Sequence, residues 1–168
     1  MEKTNQFVIA VYVDNQPGVL TRVTSMFTRR GFNIDALTVG ETELPAYSRI
    51  TISLSGDGYA REQLINQLRK LYNVKKIEIL ESEESIRREL LLIKIRNSSE
   101  SRSDVMAASE VYRAKIIDYT ADAMCIELTG EPSKKDAFIK LMMPYHIIEM
   151  CRTGIVALER GSGSIMNK

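Results

Sequence analysis

The strongest constraint on this chain is an order of segments that occurs twice, once on each side of the acidic stretch Glu81-Ser-Glu-Glu-Ser85. That stretch has nothing to bury and reads as a short linker. Before it, Phe7-Val-Ile-Ala-Val-Tyr-Val13 is a β-rich run ending in the turn formers Asp14-Asn15-Gln16-Pro17-Gly18. Val19, Leu20, Val23, Met26 and Phe27 then recur at helical spacing through Arg30, with Gly31 placed for a left-handed C-terminal cap. Asn33 to Gly40 reads as a second strand and Tyr47 to Ser55 as a third. In the third, Ile50, Ile52 and Leu54 alternate with Arg49, Thr51 and Ser53, so one face is expected to be wet. Gly56-Asp57-Gly58 breaks the strand, Leu64, Ile65, Leu68, Leu71 and Tyr72 mark a second helix, and Val74, Ile77 and Ile79 a last strand.

After the linker the order returns. Leu90 to Arg96 reads as a strand, Asp104 to Tyr112 as a helix, and Ile116 to Tyr119 and Met124 to Leu128 as two strands. Ser133-Lys-Lys-Asp136 resembles a capping box opening a helix with Ala137, Phe138, Leu141 and Met142, and Ile147 to Leu158 closes the unit as extended chain. Twice βαββαβ predicts an α+β fold of two tandem ferredoxin-like domains, residues 1–81 and 86–168. A unit this small buries only roughly 60% of its unfolded-chain surface and gains from association, so an oligomer is expected.

Composition narrows the function. With 23 Lys+Arg against 22 Asp+Glu, and the pairs Arg29-Arg30, Lys75-Lys76, Arg87-Arg88 and Lys134-Lys135 interspersed with acids, no field is expected to draw nucleic acid. The central strands also lack the exposed aromatic pairs that stack RNA bases. The longest apolar run, Phe7 to Val13, is far short of the roughly 20 residues that cross a bilayer. With no cleavable leader after Met1, a cytoplasmic, membrane-free protein is expected. Cys125 and Cys151 lie in apolar runs and read as buried free thiols. His146 is the only histidine, which excludes two-histidine catalysis and multi-histidine metal sites. No catalytic constellation and no metal site emerges, so a chain without catalysis of its own is expected.

The segment Asp14 to Leu20 carries the most chemistry, because it joins a strand to a helix N-terminus. Free amides there, aided by the helix dipole, suit an anion such as an amino-acid carboxylate. From the residues alone, Asn15 and Gly18 read more simply as residues that only shape a turn. Asn33, at the other end of the same helix, reads alone as a loop residue tolerant of unusual backbone angles. Met26, Met106, Met142 and Met143 are assigned to packing, and Lys134-Lys135 and Arg87-Arg88 to solvated faces or subunit contacts.

Asp14-Asn-Gln-Pro-Gly-Val-Leu-Thr-Arg-Val23 resembles the opening of an ACT domain, the amino-acid-sensing module. Met26-Phe-Thr-Arg-Arg-Gly-Phe-Asn-Ile34, Leu37-Thr-Val39, Ser48-Arg-Ile-Thr-Ile52 and Arg88-Glu-Leu-Leu-Leu-Ile-Lys-Ile95 narrow the resemblance. They are similar to the small regulatory subunits of acetolactate synthase (acetohydroxyacid synthase). Ile116-Ile-Asp118, Leu128-Thr-Gly130, Lys135-Asp-Ala-Phe138 and Arg152-Thr-Gly-Ile-Val156 extend it over essentially the whole chain. Arg87, where the family commonly has an acid, and Ala114, where glycine is usual, depart from it.

The resemblance implies an N-terminal ACT domain over 1–81 that dimerises and binds effector, and a C-terminal ACT-like domain over 86–168. It implies a regulatory subunit that activates a catalytic large subunit and confers feedback inhibition by valine or another branched-chain amino acid. Thiamine diphosphate, magnesium and FAD would belong to that partner and none to this chain. Asn15, Gly18 and Asn33 match the family's effector positions. The amides around Gly18, Val19 and Leu20 are suited to the carboxylate, while Ile34 and Val39 are candidate apolar walls. The alternative is a free-standing ACT-type sensor controlling another enzyme or a transcription factor; that reading wants a fused catalytic or helix-turn-helix domain, and the sequence offers neither.

Overall fold

The computed structural model describes residues 5–167. They divide into two compact units: one holds the residues up to Ile86 together with those from Ile155 onward, the other Arg87–Gly154. The first unit runs β1 (Asn5–Asp14), α1 (Val19–Arg29), β2 (Ile34–Glu41), β3 (Tyr47–Gly56), α2 (Gly58–Leu68) and β4 (Val74–Ile79). Its sheet has the order β2-β3-β1-β4 with every pairing antiparallel, the ferredoxin-like arrangement. Ile9, Val11, Ile50, Ile52 and Leu54 face Val23 and Phe27 of α1 and Leu64 and Leu68 of α2. Alternation along the strands meeting a helical stripe is what builds this core. Gly31 takes φ 69° after the last turn of α1, and the Phe32 amide returns to the Phe27 carbonyl at 3.0 Å. This is the left-handed termination expected there. Asp57 caps α2, accepting from the Ala60 amide at 2.7 Å.

The other face of this sheet departs from expectation. Thr51 and Ser53 are only 5% and 2% exposed rather than wet. On their side Val8, Ala10 and Tyr12 are covered by Ile155, Ala157 and Ile165, and Arg49 Nη2 donates to the Ala157 carbonyl at 2.7 Å. The covering segment is the end of the chain: a short strand Val156–Glu159 and a 3-10 turn Ile165–Asn167. Residues from Ile155 onward, placed by the sequence in the second domain, therefore group with the first unit. The physical reason is that their apolar side chains find the open apolar stripe Val8-Ala10-Tyr12.

The second unit contains β5 (Ser85–Arg96, whose first two residues precede the boundary), α3 (Arg102–Tyr112), β6 (Lys115–Tyr119), β7 (Ala123–Gly130), α4 (Pro132–Met142) and β8 (Ile147–Arg152). Strand order is β6-β7-β5-β8, again antiparallel. Leu91, Ile93, Ile95, Met124, Ile126 and Leu128 pack on Val105, Phe138 and Met142. Ile147 to Leu158 is not one strand, because the chain turns at Gly154, with φ 81°.

Four local expectations are corrected. α4 starts at Pro132 with no side-chain cap bond, so no capping box forms at Ser133; proline's fixed φ and missing N–H suit the first helical position. Cys125 is half-buried and Cys151 exposed, because both lie on the face of the sheet opposite Met124 and Ile126. Met26 and Met142 are core, but Met106 and Met143 are 40% and 67% exposed. Tyr72, placed on the second helix, lies beyond its end and is exposed.

Arg113 ends α3 in the left-handed region at φ 54°, the only non-glycine there among the described residues. A side chain in that conformation costs about 1–2 kcal/mol, part of which glycine returns through its freer unfolded chain. Arg113→Gly is therefore expected to stabilise the protein by about 0.5–1 kcal/mol, seen as a higher urea midpoint at constant slope.

Candidate functional site

The turn between β1 and α1 is held from two sides. The Asp14 amide donates to the Asn73 carbonyl and the Asn15 amide to the Ala46 carbonyl, at 3.0 and 2.8 Å. Asn73 Nδ2 and Lys75 Nζ both reach the Asp14 carboxylate, at 3.1 Å each. Gly18, the N-cap, sits at φ 82° with open space around the position a Cβ would take. In the first turn of α1 the amides of Leu20 and Thr21 have no acceptor among the described residues, and no acid stands there. These are donors at the positive end of a helix, open to an anion.

The individual residues differ in what remains available. Asn15 is exposed, yet Nδ2 donates to Pro45 O and Glu41 Oε1 at 3.1 and 3.4 Å, and Oδ1 accepts from Ser48 Oγ at 3.0 Å. Its side chain thus ties the turn to the β2–β3 hairpin, a stretch to which the sequence assigned no role. Val19 is 5% exposed and belongs to the core, while its amide leans on the Gln16 carbonyl at 3.3 Å. Leu20 is 38% exposed. Asn33 and Ile34 lie at the far end of α1, the first exposed without a side-chain bond among the described residues, the second half-buried against the core. Eleven helical residues, about 16 Å, separate the two ends. One chain therefore unites Asn15, Gly18, Val19 and Leu20 but not Asn33 or Ile34. The residues sequence reasoning missed are Ser48, Glu41 and Asn73. Only Ser48 had a signal, as the first residue of Ser48-Arg-Ile-Thr-Ile52.

A second constellation lies in the other unit, built from motifs far apart in sequence. Glu89, 3% exposed, is gripped by Arg152 through Nε at 2.6 Å and Nη2 at 3.0 Å. Lys135, fully buried, places Nζ 3.4 Å from Glu89 and donates to the Gly130 carbonyl at 2.7 Å. Asp136 completes the set, 3.1 Å from Arg152. Lys135 is thus neither solvated nor at a surface, as its sequence reading had it. Burial works to raise the Glu89 pKa, but the hydrogen bonds and charge of Arg152, with Lys135, outweigh it and leave it lowered. Burial lowers that of Lys135 despite Glu89. Each buried charge has a partner, so the cluster reads as an internal staple between β5, α4 and β8.

Among the described residues no group of three or more His, Cys, Asp or Glu could hold a metal ion, and no helix is long and apolar enough to cross a membrane.

Two tandem ferredoxin-like units, the first with a glycine turn at its helix start, define the class as a tandem α+β protein of ACT type. The model of the small subunit-like ACT domain of acetohydroxyacid synthase matches residues 9–76, and that of the small subunit of acetolactate synthase matches 88–161. A probable acetolactate synthase small subunit of Archaeoglobus fulgidus is 48% identical over 155 residues, covering 92% of this chain and 96% of that one. The acetolactate synthase small subunit of Mycolicibacterium smegmatis is 42% identical, covering 96% and 95%. The crystal structure of the Thermotoga maritima acetolactate synthase small subunit superposes with a TM-score of 0.87 at 39% identity, covering 95% of this chain and 99% of that one. The chain belongs to the family of acetolactate synthase small subunits.

Proposed function

We propose that this chain is the regulatory subunit of an acetolactate synthase. It binds the catalytic large subunit, raises its activity and makes it sensitive to valine or a related branched-chain amino acid. The observation that carries the effector half of this reading is the open Gly18 turn, with the unfilled Leu20 and Thr21 amides at the start of α1. They supply donors for a carboxylate, exposed Asn33 supplies an amide able to donate or accept, and Ile34 and Val39 supply an apolar wall.

A homodimer accounts for the separation of the two half-sites. β2 is an edge strand, with Ile34 at its start and Glu41 at its end. Antiparallel pairing of two such edges about a two-fold axis sets the start of one strand against the end of the other. Asn33 of the partner subunit then arrives beside Glu41, the residue Asn15 already touches. Effector bound across that seam changes the free energy of the dimer interface. The change reaches the catalytic subunit as a coupling of about 1–3 kcal/mol. In this reading thiamine diphosphate, magnesium and FAD sit in the large subunit, which condenses pyruvate with a second 2-oxo acid.

The test is acetolactate formation by the purified catalytic subunit of the same organism, with and without this chain, across a valine titration. Activation together with valine inhibition that disappears when this chain is omitted is the expected result. Activation without a valine response redirects the search to another effector, and no effect favours a free-standing sensor.

A further inference from the structure

We infer that the groove between α1 and α2 of the first unit docks an acidic surface of the catalytic large subunit; this rests on the regulatory reading above. The groove encloses about 450 Å³ and is lined by Arg22, Arg29, Arg30 and Lys70 over Met26 and Leu71, with Gln67 on its wall. The chain as a whole is nearly neutral, at +1, yet the two helices and the turns that follow them, residues 19–32 and 58–73, hold six cations against the single acid Glu62. None of the four groove cations has a carboxylate partner among the described residues. Arg22 and Arg30 meet only amide oxygens, of Asn73 at 2.8 Å and Gln67 at 3.1 Å. Like charges gathered without counter-charge repel one another, and an anionic partner relieves that repulsion. Arginine over an apolar floor also has the make-up of interface centres rather than of ordinary surface.

Two other surfaces of this unit are already committed, which leaves the helix layer and the β4 edge for a heterologous partner. Of these, the helix layer carries the groove cations that lack a carboxylate partner among the described residues. One face of the sheet is closed by Ile155, Ala157 and Ile165, and the β2 edge is the dimer seam of the proposed site. The groove is also joined to the effector turn. Arg22 on its wall donates to Asn73, whose amide donates to Asp14, the first residue of that turn. A partner held along α1 is therefore one hydrogen-bonded side chain away from the residues an effector would order.

The double variant Arg29→Glu/Lys70→Glu, two exposed positions outside the effector turn, tests this in the full chain. Expected is at least a tenfold weaker association with the catalytic subunit, a shallower dependence of that association on salt, and unchanged valine binding by the isolated chain. Lys140→Glu, at an exposed position of α4, is the control and should leave association as it was. Equal weakening by the control overturns the proposal, since net charge rather than the groove then governs binding. Unchanged association of the double variant overturns it too. So does binding of inorganic tripolyphosphate by the wild type that the double variant loses while association is untouched, which makes the groove a small-anion site. A change in the isolated chain's own oligomeric state assigns the groove to a second copy and likewise overturns it. If the wild-type chain neither binds nor activates the catalytic subunit, it is the regulatory reading that fails.

Discussion

Glu89→Gln is expected to destabilise the second unit by about 3 kcal/mol at neutral pH, because it removes the counter-charge of a fully buried lysine. The side chain keeps its shape, so the loss is electrostatic rather than a cavity. Lys135→Met, by contrast, is expected to cost within about 1 kcal/mol: Arg152 still satisfies Glu89 with two hydrogen bonds, and the lysine's burial penalty vanishes. The pH dependence has a defined sign. A lowered carboxylate pKa gives stability that is present above the ordinary value of 4.5 and lost as pH falls through the folded value, so the wild type weakens below about pH 4.5 through this group. Glu89→Gln deletes that acid limb. The lowered lysine pKa acts at the other end, where folding favours the deprotonated form and stability rises with pH up to the ordinary 10.5. Without Glu89 the lysine pKa falls further, so the deficit of Glu89→Gln narrows on going alkaline. Amide hydrogen exchange at Leu91, Ile93 and Ile95, with urea unfolding from pH 3 to 10, reads both limbs. Equal costs for the two variants would overturn the account of Lys135 as the charge that depends on Glu89.

What was legible in the sequence is what short-range chemistry writes there. The period of Ile50, Ile52 and Leu54, the helical stripe of Val19 to Phe27 and the glycine at 31 act over a few residues, and the structure follows them. The dryness of Thr51 and Ser53 could not be read the same way. Their cover, Ile155 to Ile165, lies about a hundred residues on and leaves no mark on the alternation of β3. Lys134-Lys135 illustrates the same limit at one residue: adjacent lysines read as a solvated pair, but Lys135 faces inward to Glu89 and the Gly130 carbonyl. The sequence motifs Arg88-Glu-Leu, Leu128-Thr-Gly130, Lys135-Asp-Ala-Phe138 and Arg152-Thr-Gly154 were visible singly. That they converge on one cluster around buried Glu89, with Lys135 and Asp136 both from one motif, is a matter of register between β5, β7 and β8 and of the placement of α4. Of the candidate effector positions, Asn15, Gly18 and Leu20 share one turn and could be grouped by proximity, whereas Asn33 lies at the other end of α1 and would join them only through the second chain of the proposed dimer.

That last point makes the Gly18 and Asn33 variants the most demanding test of the proposed site. Gly18→Asp is expected to abolish valine inhibition, shifting the effector's apparent affinity more than a hundredfold, beyond about 2.7 kcal/mol. Nothing lies within 4 Å of the new Cβ, so the fold accepts the side chain. The strain is that of an aspartate at φ 82°, about 1 kcal/mol, since Asp tolerates the left-handed region better than most residues. What changes is the charge at the mouth of the Leu20 and Thr21 amides: the new carboxylate takes the donors and repels that of the effector. Asn33→His removes the amide that a partner chain would supply and is expected to abolish inhibition likewise, from 16 Å away along α1 in the same chain (about eleven residues of rise). Both variants should still activate the catalytic subunit to near the wild-type level, because neither residue lines the α1–α2 groove. The decisive experiment mixes the two in one dimer preparation. If each effector site takes Gly18 from one protomer and Asn33 from the other, a heterodimer of Gly18→Asp with Asn33→His carries both lesions in one site and leaves the second site intact. Mixed protein then recovers about half of the valine-binding sites, counted by calorimetry in the heterodimer fraction. A site contained within a single chain predicts no recovery, since every chain carries a lesion, and that outcome would confine the effector to one protomer.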